Sequence, residues 1–279
     1  MRLATVLHHG RVAFGPVVAH MLHDVSQSFV DLADALTLDH TARLHAAMPH
    51  APAVDLGECT YLPPVPRPER ILCIGVNYAD HRAESQTKSD TPYPTVFSRY
   101  PSSIVGHDQP IVRPRVSDRF DWEGELAIVI GRKGRYIPAA DARSYIAGYT
   151  CCMDGSIRDY QRHASQFLPG KTFDDSGACG PFVVTVDEVG RDDDLTLTTL
   201  VNGVQMQHAS TADLIHDVPQ IIAYCSQFTT LEPGDIIATG TPGGVGAART
   251  PPVFLQPGDI VEVVIDRVGT LRNQVVAEP

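Results

Sequence analysis

The sequence predicts an α+β chain, mostly β. A barrel-like or rolled sheet is expected over residues 66–279, after a small N-terminal α/β domain over residues 1–65. Three observations predict this. Glu232-Pro233-Gly234-Asp235 and Gln256-Pro257-Gly258-Asp259 are turn signals, each followed by a β-branched run. Residues 121–130 read as a strand that ends in a continuous apolar run. Pro63, Pro64, Pro66 and Pro68 form a stiff linker that marks a domain boundary.

Taken in order, Arg2–His8 and residues 12–22 read as strands joined at His9-Gly10. Ser26 is placed to cap a helix carrying Phe29, Val30, Leu32 and Leu36 at helical spacing, with a second helical piece over 41–48. The seven histidines up to His50 show no ligand spacing and read as surface or satisfied side chains. Residues 71–76 form a buried-strand candidate, and residues 77–84 read as a turn into a short helix. A mobile loop is expected over 85–94, then a short strand over 95–100.

Residues 150–153 form another apolar run that ends at Asp154, with Ser156 placed to cap a following helix. Lys171 and Gly180-Pro181 fall in a segment read as irregular. Strands are expected within 182–206 and 229–239, with Asn202-Gly203 as a hairpin turn. Residues 210–225 read as a helix that Pro219 forces either to bend or to start late. The run from Thr239 to Gly246 is glycine-rich but is neither a P-loop nor a dinucleotide fingerprint. It reads either as a loop offering N–H groups and the Thr241 hydroxyl to an anion, or as a tight connection.

The stretch around residue 121 carries the chemistry. Side chains two apart on a strand share a face, so Asp121, Glu123, Glu125, Ala127 and Val129 point one way. Two carboxylates ~4 Å apart repel by roughly 4 kcal/mol at an effective dielectric of ~20. Such a pair needs a cation, a proton or open water, and hard divalent ions suit all-oxygen ligands. Two solvated glutamates at a strand end are the plainer alternative. His81 and Glu84 stand three apart, so on a helix the carboxylate can hold the imidazole as a base for water. A surface pair is the alternative there.

The net charge of −11 and pI near 5.4 argue against nucleic acid and anionic membrane as partners. The six cysteines form no CxxC pair and read as reduced thiols, which fits a cytoplasmic protein. No signal peptide and no membrane-spanning run are evident.

The motifs gain force in series. They are Ile74-Gly75-Val76-Asn77-Tyr78 with His81 and Glu84; Asp121-Trp122-Glu123-Gly124-Glu125-Leu126; Asp154 with Arg158-Asp159 and Gln161; and Lys171 with Gly180-Pro181. Asn202-Gly203, Pro233-Gly234-Asp235, the run Gly240 to Gly246 and Gly258-Asp259 complete it. This series resembles the fumarylacetoacetate hydrolase family over about residues 69–275. The resemblance implies a mixed β-sandwich roll around a Mg²⁺ or Mn²⁺ ion, usually in a homodimer. It implies Glu123, Glu125 and Asp154 as metal ligands, His81 and Glu84 as a water-activating dyad, and Lys171 as a pocket lysine. Gln161 and Thr241 match positions that contact substrate. Many relatives carry Asn-Asp where this chain has Met153-Asp154, a bulkier residue at Gly155, and a lysine near Ser98-Arg99. Those departures imply a reshaped pocket.

The implied substrate is a 2-oxo acid. The first expectation is hydrolysis of an acylpyruvate such as fumarylpyruvate or acetylpyruvate, with C–C cleavage to a pyruvate enolate. Decarboxylation of an oxaloacetate-type acid, or isomerisation or tautomerisation of an unsaturated 2-oxo diacid, uses the same enolate and is the alternative. A dicarboxylate-binding protein without turnover is the remote one.

Overall fold

Alternation along the strand Gly124–Ile130 builds two cores. Leu126, Ile128 and Ile130 enter one apolar cluster, and Ala127 and Val129 enter another on the opposite face. The computed structural model describes residues 1–85 and 92–279, so most of the loop expected over 85–94 lies outside the described residues.

The large sheet runs in the order Ala53–Asp55, Met21–His23, Arg11–Val18, Arg2–His8, Gly177–Thr185, Ile146–Met153, Gly124–Ile130, Ile236–Ala238, Ile71–Gly75 and Thr95–Ser98. Strands from the first 65 residues continue its edge, because Arg2 and Leu3 pair with Val184 and Val183. A second sheet, ordered Val204–Ser210, Thr196–Val201, Ile260–Ile265, Gly269–Ala277 and Ile111–Arg113, packs on one face. Leu197, Val261, Val263 and Leu271 meet Leu126 and Ile128 in the shared core. On the other face Phe29, Leu32 and Leu36 cover Ala127, Val129 and Val183. The chain is an α+β protein made mostly of β-structure.

Gly124 permits the close approach of the two sheets. A Cβ there would lie 2.0 Å from Thr199 Oγ1. Asn202 and Gly203 take φ of 52° and 76° and turn the hairpin between Thr196–Val201 and Val204–Ser210 as expected. Each Pro-Gly-Asp turn is followed by a strand, Ile236–Ala238 and Ile260–Ile265.

Several local expectations are corrected. The first helix is Leu32–Leu36, capped by Asp31 rather than Ser26, because Ser28 and Phe29 spend their N–H groups in a turn on Val25 O. The strand expected over 12–22 breaks at Ala19 and His20, whose φ of 46° and 72° reverse the chain. Ser156 is paired in a strand and caps no helix. Gly180-Pro181 lies inside the strand Gly177–Thr185, opposite the irregular pairing between Tyr149 and Cys151. Pro219 marks a late helix start: the helix is Val218–Phe228, with an Asp217–Gln220 capping box. Among the described residues, no helix is long and apolar enough to cross a membrane.

Candidate active site

The strand ends of the large sheet converge on one cleft of about 430 Å³. Its lining includes His81, Glu84, Glu123, Glu125, Asp154, Gln161, Lys171 and Thr241, so every site residue expected from the sequence is brought together there. Glu123 precedes the strand Gly124–Ile130 and Asp154 follows Ile146–Met153. The Asp154 N–H donates to Glu123 O at 2.8 Å, which sets their carboxylates side by side. Oxygen atoms of Glu123, Glu125 and Asp154 lie within 4.8 Å of one another, and all three residues are buried. The two-solvated-glutamates reading is thereby excluded.

Buried cations hold this cluster. Lys171 Nζ donates to Asp154 Oδ2 at 2.6 Å and pairs with Glu123 Oε2. Arg99 Nη1 donates to Asp154 Oδ1 at 2.6 Å, and Arg158 Nη1 reaches Glu123 Oε1 at 2.7 Å. Burial pushes the Glu123 carboxyl up, but Lys171 and Arg158 outweigh it and hold the group well below its ordinary value. Burial lowers the Lys171 ammonium, and Asp154 and Glu123 more than restore it, so it stays charged. Glu125 makes no ion pair among the described residues and accepts only the Gly240 N–H, at 2.8 Å. Burial, then repulsion from Asp154 and Glu123, pushes its carboxyl well above the ordinary value. That uncompensated carboxylate, beside two others, is what a hard divalent cation would relieve. The donor set therefore fits such an ion.

His81 and Glu84 form the expected pair on the helix Ala79–Glu84, with His81 Nδ1 to Glu84 Oε1 at 2.8 Å. Glu84 Oε2 also accepts the Gly244 N–H at 2.9 Å, which ties the helix to the glycine-rich loop. Burial raises the Glu84 carboxyl, but the bonds from His81 and Gly244 outweigh it, so it lies below the usual 4.5. The helix leaves the sheet through Val76, whose φ of 57° is strained for a β-branched residue. Asn77 secures that turn by bonding His216 O, Thr239 O and the His216 N–H.

The glycine-rich loop gives its N–H groups to the chain's own carboxylates. Gly240 serves Glu125, Gly244 serves Glu84, and Gly246 and Ala247 serve Asp121 at 2.7 and 2.9 Å. Thr241 donates its hydroxyl to Gly124 O at 2.9 Å and accepts from Gln207 Nε2 at 2.7 Å, so it fastens the loop to the strand.

Three residues stand out that sequence reasoning left without a role. Asp121 is fully buried and also accepts Arg158 Nε at 2.7 Å. Arg158 lines the cleft, bonds Gln161 Oε1 at 3.0 Å, and keeps an Nη2 with no hydrogen-bond partner. Arg99 is buried behind Asp154 and also bonds Gly155 O, Ser103 and Ser176. A Cβ on Gly155 would meet Ser176 O at 1.9 Å, so this departure shapes the wall behind Asp154 rather than the cleft. Arg158 was visible as the cation four residues after Asp154. Arg99 entered the sequence reading only as the place near which many relatives carry a lysine, with nothing local to link it to Asp154.

The histidines of the first 65 residues are all at least partly exposed, as expected of surface side chains. His8, His9 and Glu58 bring possible ligand atoms within 4.8 Å at the exposed first hairpin. The grouping was hidden because Glu58 arrives from a distant part of the chain.

Comparison with known proteins matches residues 70–276 to the family model described as fumarylacetoacetate (FAA) hydrolase C-terminal. The chain is 45% identical over 227 residues to the mitochondrial oxaloacetate tautomerase FAHD2A of Bos taurus, covering 81% of this chain and 72% of that protein. Its fold matches the fumarylacetoacetate hydrolase of Exiguobacterium antarcticum with a TM-score of 0.87 and 35% identity over the full length of both chains. It also matches a maleylpyruvate hydrolase of Sphingobium sp. SYK-6, solved with manganese(II) and pyruvate, with a TM-score of 0.84 and 30% identity over both full chains.

Proposed function

Because the chain belongs to the fumarylacetoacetate hydrolase family, we propose that it moves a proton on a 2-oxo diacid of the oxaloacetate type, interconverting keto and enol forms. The observation that carries this reading is the His81–Glu84 pair facing the same cleft as the three-carboxylate cluster. Glu123, Glu125 and Asp154 would hold Mg²⁺ or Mn²⁺. A divalent ion there supplies Lewis acidity at the 2-oxo group.

The protein's own groups do the rest. Glu84 accepts the Nδ1 proton of His81, which leaves Nε2 as the acceptor for a proton from the carbon next to the 2-oxo group. Lys171 has three N–H donors, two of them on Asp154 and Glu123, and the third adds positive charge toward the oxygen where negative charge develops. Arg158 Nη2 and the amide of Gln161 would orient the second carboxylate. Thr241 holds the loop that carries Gly240 and Gly244 against Glu125 and Glu84.

Hydrolysis of an acylpyruvate is the second reading, and the same dyad favours it, since His81 Nε2 is equally suited to take a proton from water. The test is side-by-side turnover of oxaloacetate, acetylpyruvate and fumarylpyruvate with Mg²⁺, Mn²⁺ and EDTA. Enol decay and CO₂ release are followed separately for oxaloacetate. The first reading predicts metal-dependent loss of enol oxaloacetate without matching CO₂. Release of pyruvate plus the partner acid from an acylpyruvate, with oxaloacetate enol untouched, would replace it with the second.

A further inference from the structure

Arg158 stands between two cavities. Beyond the active-site cleft lies a side pocket of about 370 Å³, and Arg158, Arg162 and Ala247 line both. Arg119 completes a set of three guanidinium groups around the side pocket, against one carboxylate, Asp159. That carboxylate already accepts the Ser117 hydroxyl at 2.7 Å. Arg158 is nine-tenths buried and its Nη2 is unpartnered. Arg119 and Arg162 are exposed and make no ion pair among the described residues. In a chain of net charge −11, two unpaired arginines beside a third concentrate positive potential at one place. The remaining wall is apolar, from Pro252 and Phe254. An apolar wall with guanidinium groups suits a hydrocarbon spacer that ends in a carboxylate.

We propose that this side pocket is a distal subsite, in which Arg119 and Arg162 take the far carboxylate of an extended 2-oxo diacid. The acid groups of such a ligand are further apart than those of oxaloacetate. The subsite rests on the 2-oxo diacid reading and narrows it: a short diacid ends at Arg158, and a longer one passes into the side pocket.

Calorimetric titration of the Mn²⁺-loaded protein tests this with 2-oxoadipate, 2-oxohexanoate of equal chain length but one acid group, and pyruvate. The subsite predicts that the diacid binds about tenfold tighter than the equal-length monoacid, equivalent to ~1.4 kcal/mol. In the double variant Arg119→Gln/Arg162→Gln that ratio falls below about threefold. Both residues are exposed, and an unchanged melting temperature of the variant confirms that it is folded. Equal binding of diacid and monoacid by the wild type, or a preference that survives the double substitution, would overturn the subsite alone. Failure of all three ligands, pyruvate included, would overturn the 2-oxo acid reading and the subsite with it.

Discussion

Replacing Glu84 with glutamine tests the dyad with little change of shape. The carboxylate accepts two hydrogen bonds, from His81 Nδ1 at 2.8 Å and from the Gly244 N–H at 2.9 Å. Glutamine offers one acceptor oxygen and one NH₂ group, so one of those donors must face another donor. The negative charge that supports a protonated His81 is lost as well. A hydrogen bond to a charged group is worth ~1.5–3 kcal/mol, and ~1.4 kcal/mol is tenfold in rate. Glu84→Gln should therefore lower kcat for oxaloacetate tautomerisation by about 10- to 100-fold. Mn²⁺ affinity should stay within about threefold, since Glu84 is no part of the carboxylate cluster. Stopped-flow enol absorbance gives the rate and calorimetry gives the metal affinity. An unchanged kcat, or loss of metal binding in step with activity, would refute the reasoning.

The remaining predictions concern the supports of the cleft. Removing one partner of a buried ion pair costs ~3–5 kcal/mol, so Arg99→Leu should lower the unfolding free energy by about that amount in urea titration, and a loss under ~1 kcal/mol would contradict it. The raised Glu125 carboxyl binds more protons in the folded than in the unfolded protein, so the metal-free protein loses stability as pH rises from about 4.5 toward the folded value. Added Mn²⁺ should therefore raise the melting temperature more at pH 8 than at pH 5, and an equal or reversed effect would count against the cluster as the binding site. Gly124→Ala drives a Cβ to 2.0 Å from Thr199 Oγ1 and should destabilise by about 1–3 kcal/mol, with Thr199→Ala restoring part of the loss in a double-mutant cycle.

What the sequence disclosed was what short spacing encodes. Period-two alternation placed Glu123 and Glu125 together, and both line the cleft, although the strand expected over 121–130 breaks at Trp122 and Glu123 into Phe120–Asp121 and Gly124–Ile130. The His81–Glu84 spacing gave a helical pair, and the Asn202-Gly203 dipeptide gave its hairpin. What stayed hidden depends on contacts between distant segments. Arg99 meets Asp154 across 55 residues, and Asp121 meets Arg158 across 37. The loop at 239–246 stayed open between an anion cradle and a tight connection, because nothing local shows that its N–H groups are taken by Glu84, Glu125 and Asp121. Ser26 and Ser156 were plausible caps by residue type, but a local turn on Val25 O displaced the first and strand pairing with Asp121 displaced the second.

The most direct test of the central claim is proton exchange at the carbon next to the 2-oxo group. The protein is incubated with oxaloacetate in D₂O, and loss of the C3 proton signal is followed by NMR against a protein-free control. The account predicts exchange faster than the control with Mg²⁺, abolished by EDTA and lost in His81→Ala. Exchange at the wild-type rate in His81→Ala, or undiminished by EDTA, would contradict a proton transfer run by this dyad at a metal-dependent cleft.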